Sequence, residues 1–262
     1  MTGRATVAGH FGEWVQGRLG PGGEVVLVTL ACPALKAMAR CEATGATHLT
    51  GDIAAVPPDA LLRLGGERAG RVRLTLDMPP GGGAGASTAA LVALSRVVGV
   101  VETDLPAACL SVEGATDPLM LDRPDAVLWA PRRAATVEPF PPPPEAEIVG
   151  GFLGEGERTD PADLRFPDVE DLVRRWRERP DLAGAAAVAT TSAGRTTALR
   201  GPAGDPTEAL ARRCGALGWI RAHTGSARGL IFPPGGAPGD VEATLGAAGL
   251  TGVLRFRTGG RA

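Results

Sequence analysis

The stretch Leu74-Thr75-Leu76-Asp77-Met78-Pro79-Pro80-Gly81-Gly82-Gly83-Ala84-Gly85-Ala86-Ser87-Thr88-Ala89-Ala90 decides how this chain is read. Alternation over residues 71–77 gives a strand, two prolines end it, and a run of glycines makes a loop. Residues 87–98 then place Leu91, Leu94 and Val98 on one face of a helix. Glycines let backbone N–H groups come close to an anion, and a helix N-terminus adds roughly half a positive charge aimed at it. Strand, glycine loop and helix end in direct succession therefore read as a phosphate cradle.

Several loops of this kind exist, and the residues separate them. A Walker loop needs Gly-Lys-[Ser/Thr], but the sole lysine, Lys36, follows Leu35, so that loop is excluded. Gly81-x-Gly83-x-x-Ala86 fits the spacing of a dinucleotide fingerprint, with Glu102 at about the right distance for a ribose. Against it, Pro79-Pro80 interrupts the strand-to-loop turn, and Val100-Val101 is too short for the second parallel strand. A structural glycine turn stays open, because the chain holds 38 glycines and 23 prolines in 262 residues and no tyrosine, a bias toward Ala, Gly, Pro and Arg. Other segments have to decide.

Composition excludes more than it selects. The formal net charge is −2 with 44% hydrophobic and 21% charged residues, the profile of a folded chain without a footprint for nucleic acid or an anionic membrane. No stretch approaches the roughly 20 apolar residues of a membrane span. Cys32, Cys41, Cys109 and Cys214 form no Cys-x-x-Cys pair and read as buried free thiols. The first ten residues, MTGRATVAGH, lack an apolar core, so a cytoplasmic chain is expected.

The run Pro139-Phe140-Pro141-Pro142-Pro143-Pro144 divides the sequence into residues 1–138, a stiff linker over 139–144, and residues 145–262. Before it, strands are expected near 6–16, 24–31, 35–43 and 71–77, then the 87–98 helix, a helix capped by Asp104 with Pro106 in its first turn, and a strand near 126–129. After it come a strand over 147–152, a helix capped by Asp168 with Val169, Leu172, Val173 and Trp176 on one face, and a helical segment over 181–191. Asp205-Pro206-Thr207-Glu208 opens another helix, followed by strands 219–222 and 229–232, helix 240–248 and strand 253–257. The second half has the split βαβ order of a ferredoxin-like layer, and the fold class is two-layer α+β.

Three segments in order carry a resemblance. Gly83-Ala84-Gly85-Ala86-Ser87-Thr88-Ala89 resembles the phosphate loop of the GHMP kinases, Pro-x-x-x-Gly-Leu-Gly-Ser-Ser-Ala, and Ala86-Ser87-Thr88-Ala89 follows its Ser-Ser-Thr-Ala version. Gly9-His10-Phe11-Gly12-Glu13-Trp14-Val15-Gln16-Gly17 is similar to the Gly-Glu-Leu-x-Gln-Gly motif of the L-threonine kinases associated with propanediol utilisation and cobalamin. Ala222-His223-Thr224-Gly225-Ser226-Ala227-Arg228-Gly229-Leu230 looks like their Ala-His-Ser-Gly-Thr segment with its following Gly-Leu. The resemblance runs from Val7 to about Phe232. It implies a GHMP kinase fold, with a ribosomal-protein-S5-domain-2-like N-terminal half and a ferredoxin-like C-terminal half.

It also implies roles. Gly81, Gly82, Gly83, Ala84, Gly85, Ala86, Ser87 and Thr88 would hold the phosphates of ATP, with Ser87 facing Mg²⁺ or a phosphate oxygen; Ser87 equally suits a helix N-cap. Asp117, in Gly114-Ala115-Thr116-Asp117-Pro118, matches a Pro-Thr-Asp step and would take the acceptor's proton or hold its ammonium group; an Asp-Pro surface turn is the plainer reading. His10, Glu13, Gln16, His223, Thr224, Gly225 and Ser226 would line the acceptor site, whereas His48 carries no such signal. Glu13 and Gln16 suit an amine and a carboxyl, but strand alternation places them on opposite faces unless Gly12 or Gly17 permits a bend. Arg228 reads as a phosphate neutraliser or an exposed turn residue.

Ala86, Ala90 and Ala115 stand where those kinases carry a serine, often an aspartate, and a proline. The expectation is an ATP- and Mg²⁺-dependent transferase acting on the hydroxyl of an amino acid or related metabolite, L-threonine first, as a monomer or homodimer. The competing expectation is a relative that binds nucleotide or metabolite without transfer.

Overall fold

The structure, a computed structural model, describes residues 3–43, 45–67 and 69–259; Met1 and Thr2, at the start of the stretch read for a leader, lie outside them. Two long strands begin the fold, β1 (Arg4–Arg18) and β2 (Val25–Ala43), paired antiparallel. The two strands expected over 24–31 and 35–43 are one. Pro33 sits in a bulge where β1 steps from Ala8↔Lys36 to Gly9↔Cys32, so residues 33–35 face no ladder partner and the missing N–H costs nothing. β3 (His48–Gly51), a short helix α1 (Ala60–Arg63) and β4 (Arg71–Leu76) follow; β3 and α1 have too few patterned residues to stand out in the sequence.

Beyond the glycine loop, α2 (Ala86–Val98) has Gly85 as its N-cap, so Ser87 lies inside the first turn and the N-cap reading of Ser87 is corrected. α3 (Leu105–Glu113) begins at Asp104 with Pro106 in its first turn, as expected. Because a helix follows α2 instead of a parallel strand, the glycine loop does not open a βαβ unit, and Glu102 pairs at the surface with Arg96 at 2.8 Å. That geometry overturns the dinucleotide reading. β5 (Val127–Ala130) and β6 (Ala135–Pro139) complete a sheet ordered β3-β4-β2-β5-β6, with β1 joined to β2. The proline run starts at the end of β6, and its Phe140 is buried in the core.

The remaining elements are β7 (Ala146–Leu153), α4 (Glu170–Arg177), α5 (Leu182–Arg200), α6 (Thr207–Arg213), β8 (Gly218–Arg221), β9 (Ala227–Phe232), α7 (Val241–Ala247) and β10 (Leu250–Thr258). Their antiparallel sheet runs β10-β7-β9-β8, the strand order of the ferredoxin-like layer. The caps of α4 and α6 are each one residue later than expected. Val169 and Pro206 take the N-cap positions, while the Asp168 and Asp205 carboxylates accept the N–H groups of Glu170 and Thr207 from one residue further out. α5 extends well past 191 to Arg200: it runs through Gly194 without a proline, and Ser192, Ala193 and Thr196 bury one face of the added turns.

β1 joins the two sheets. Phe11 meets Phe152 and Phe256 edge-on at 5.5 and 5.7 Å, and Trp14 meets Trp176 at 5.6 Å. Full burial of such a ring contributes about 1.5–3 kcal/mol, so this strand is fixed firmly against both layers. Cys32 and Cys109 are buried free thiols as expected, whereas Cys41 and Cys214 are half-buried. Among the described residues no helix is long and apolar enough to cross a membrane.

Candidate active site

The glycine loop is clamped from two sides through its carbonyls. Gly12 N–H donates to Gly83 O at 3.0 Å, His10 N–H to Ala84 O at 3.2 Å, and Ala227 N–H to Gly82 O at 2.8 Å. The N–H groups of Gly83, Ala84 and Gly85 meet no acceptor among the described residues, and those at the start of α2 are orphaned by helix geometry. Gly83 has φ +75°, and a Cβ there would sit 2.1 Å from the Cβ of Ala222, so glycine is required where the loop meets the turn after β8. Sequence thus produces a loop whose acceptors are engaged and whose donors are free.

The N-terminal end of α2 meets two carboxylates. Thr88 Oγ1 donates to Glu113 Oε1 at 2.7 Å and accepts the Asp117 N–H at 3.1 Å. Thr116 Oγ1 donates to Thr88 Oγ1 at 3.4 Å, and the Ser87 hydroxyl also faces the Glu113 carboxyl. Burial pushes the Glu113 carboxyl up to about 7; the three hydroxyls oppose that rise and the charge of Asp117 adds to it. Trp129 Nε1 donates to Thr116 O at 2.6 Å and fixes this segment from β5.

Asp117 Oδ2 lies 3.2 Å from His10 Nε2, and His10 Nδ1 lies 3.8 Å from Glu13 Oε1. Burial works against a charge on His10, but Asp117 and Glu13 outweigh it and raise the imidazole to about 9. Glu13 is itself pushed up to about 7 by burial, with His10 pulling the other way. Register shifts in β1 between His10 and Glu13 and between Glu13 and Val15, with Gly12 at φ +69°, undo the simple alternation. His10, Glu13 and Gln16 therefore line one cavity, as the expected bend requires.

That cavity measures about 280 Å³ and gathers Gly81, Gly83, Gly85, Ala86, Ser87, Thr88, Asp117, His223, Thr224 and Gly225 as well. Gly82, Ala84 and Ser226 are outside its wall: the Gly82 and Ala84 carbonyls hold the clamp, and the buried Ser226 offers its carbonyl to Leu153. His223 stacks on Phe166 at 3.7 Å, and Arg200 Nη1 sits 2.7 Å from His223 Nε2. Burial and the Arg200 charge hold His223 down to about 3, so the ring is neutral, Nε2 accepts and Nδ1 carries the proton. Arg228 is buried against Asp205 at 2.8 Å and also donates to Gly225 O and Ala227 O; it supports the turn and does not face a phosphate. Lys36 is exposed on β2, away from the cavity.

Glu113, Arg132 and Phe166 line the cavity and were missed in the sequence. Glu113 had a signal, four residues before Asp117 at a helix end closed by Gly114, whereas Arg132 and Phe166 arrive from turns without a pattern.

The two sheets and their helices form a two-layer α+β architecture, the GHMP kinase fold that the chain shares with solved small-molecule kinases. Among solved structures the chain is similar to a homoserine kinase from Cytophaga hutchinsonii, with a TM-score of 0.59 and 19% identity over 98% of this chain and 95% of the other. It is also similar to a mevalonate kinase from Staphylococcus aureus, with a TM-score of 0.60 and 15% identity over 98% and 99%. A 4-(cytidine 5'-diphospho)-2C-methyl-D-erythritol kinase superposes with a TM-score of 0.56 and 18% identity over 98% and 100%. No family model matches the chain, and no curated protein matches its sequence.

Proposed function

We propose that this protein transfers the γ-phosphoryl group of ATP to the hydroxyl of a small amino acid, L-threonine first, in the cytoplasm. The observation that carries the reading is the meeting, in one cavity, of free loop N–H groups, the Ser87–Thr88–Glu113–Asp117 cluster and the unpartnered buried acceptors Glu13 Oε2 and Gln16 Oε1. The kinase neighbours support the class, and the motifs around His10 and His223 support the acceptor.

Mg²⁺ is tested by the donors present. Among the described residues no cluster of three or more His, Cys, Asp or Glu forms a protein cage. One carboxylate with hydroxyl oxygens suits Mg²⁺, which keeps waters and shares substrate phosphates. Glu113 and Ser87 would hold it, and the ion would supply charge neutralisation on the phosphates.

The chain's own residues do the rest. Loop N–H groups and the α2 dipole bind phosphate oxygens, which compensates for the lack of a lysine. Asp117 takes the acceptor's hydroxyl proton as the bond from that oxygen to the γ-phosphorus forms and the bond to the bridging oxygen breaks, releasing ADP. The His10 imidazolium fixes the orientation of the Asp117 carboxylate. Glu13 and Gln16 hold the acceptor's ammonium group. Ala55, Pro57 and Val112 give an apolar wall for the purine base.

Purified protein with MgATP and a panel of hydroxylated amino acids should release ADP with L-threonine and stop when EDTA removes the metal. A second reading, binding without transfer, draws on Ala86, Ala90 and Ala115. It is favoured if MgATP raises the melting temperature while no acceptor in the panel yields ADP.

A further inference from the structure

The cavity wall sorts its unpartnered atoms by chemistry. Glu13 Oε2 and Gln16 Oε1, both on β1, are acceptors. His10 Nδ1 is an unpartnered donor, but it points its charge at Glu13 and Asp117. His223 Nδ1 is a donor with no partner, on a side chain only 4% exposed. Arg132, on the turn joining β5 to β6, donates through Nε to Pro161 O at 2.7 Å and through Nη2 to Asp163 O, which leaves Nη1 without a partner among the described residues.

Arg132 forms no ion pair among the described residues, since the Asp163 carboxylate is taken by Arg200. Its guanidinium lies 5.3 Å from the centre of the Phe166 ring, and His223 is stacked on that same ring. Two free donors thus share one aromatic platform. Arg158 also lines the cavity, but it follows Glu157, which abuts Gly81, so its charge belongs to the phosphate end.

We infer that Arg132 Nη1 and His223 Nδ1 form a carboxylate subsite, making the acceptor one with a free carboxylate as well as an ammonium group. The inference rests on the kinase reading for the acceptor's occupying this cavity. Arg132 is the specificity-determining residue: a guanidinium held by two carbonyls on one edge presents its remaining donors to an anion with little loss of freedom. Glu13 and Gln16 read the ammonium, and Arg132 and His223 the carboxylate.

The test compares L-threonine with L-threoninol, which keeps the ammonium and the hydroxyl and replaces the carboxylate by an alcohol. Binding is read by calorimetry and turnover by ADP release, for the wild type, Arg132→Ala and His223→Phe. The wild type should prefer threonine by about 100-fold in kcat/KM and in binding. Arg132→Ala should bring that ratio to within about threefold, and His223→Phe, which keeps the stacked ring, should lower it by about tenfold. Loosening of the 161–163 segment by Arg132→Ala would weaken both compounds together and leave the ratio intact, so the ratio separates recognition from damage. An unchanged ratio in Arg132→Ala, or a wild type indifferent to the carboxylate, overturns the subsite while ADP release keeps the kinase reading. Preferential threonine binding that Arg132→Ala abolishes, with no ADP from any acceptor, supports the subsite and overturns the kinase reading.

Discussion

Two buried charge clusters on either side of the glycine loop are built in opposite ways. Beneath the turn after β8, Arg228 pairs with Asp205 and caps Gly225 O and Ala227 O, while Asp205 also accepts the N–H and hydroxyl of Thr207. In the cavity, His10, Glu13 and Asp117 share one short contact, and His10 Nδ1 and Glu13 Oε2 remain without a partner. Burying polar groups without partners costs stability. The first cluster is closed and holds the turn in place; the second is open and leaves polar atoms unpaired beside the cavity.

Exchanging one member of each cluster should therefore do different damage. Asp117→Asn is expected to lower kcat about 10²- to 10⁴-fold, with the affinity for MgATP, read by fluorescence or calorimetry, nearly kept. Arg228→Ala should lower the unfolding free energy by about 3–5 kcal/mol in urea titrations, because it leaves Asp205 buried and uncompensated. If Arg228→Ala instead spares stability and removes phosphate affinity, the contrast between the clusters collapses.

Glu13→Gln sharpens the contrast from the open side. It should raise KM for the acceptor about 10- to 100-fold while leaving the melting temperature of the ligand-free protein equal or higher, since a carboxyl whose charge is disfavoured by burial is removed. A large loss of stability would place Glu13 with the closed cluster.

The smallest effect is the pH dependence of stability. His10 moves from 6.5 to about 9 on folding, so the folded chain keeps a proton that the unfolded chain has lost. Its contribution is complete below pH 6.5 and disappears as pH rises through about 9. Glu13, moved from 4.5 to about 7, has the same sign over a lower window. Melting temperature should fall between pH 7 and pH 9, and His10→Asn should flatten that fall; an equal slope in the variant would mean that other groups carry it.

Much of this contrast was written in local sequence, and some was not. The glycine loop, both outer motifs and the β7-to-β10 order announce themselves because each depends on neighbours within one turn or strand. β2 was misread as two strands because Pro33 normally ends pairing, and only the bulge opposite Ala8 and Gly9 makes it harmless. Arg228 reads the same whether buried or exposed until Asp205 is seen beside it, 23 residues earlier in the chain. Arg132 reaches Phe166, and Phe166 reaches His223, only because the β5–β6 turn and the 154–167 segment converge over the cavity, which no local periodicity encodes.

Transfer of a phosphoryl group at the open cluster has a direct readout. Phosphorus NMR of wild type and Asp117→Asn, each incubated with MgATP and L-threonine, tests it most directly. A phosphomonoester signal split by the threonine β-proton should grow with ADP in the wild type and be nearly absent in Asp117→Asn. Equal product in both proteins, or ATP unchanged in the wild type, would contradict it.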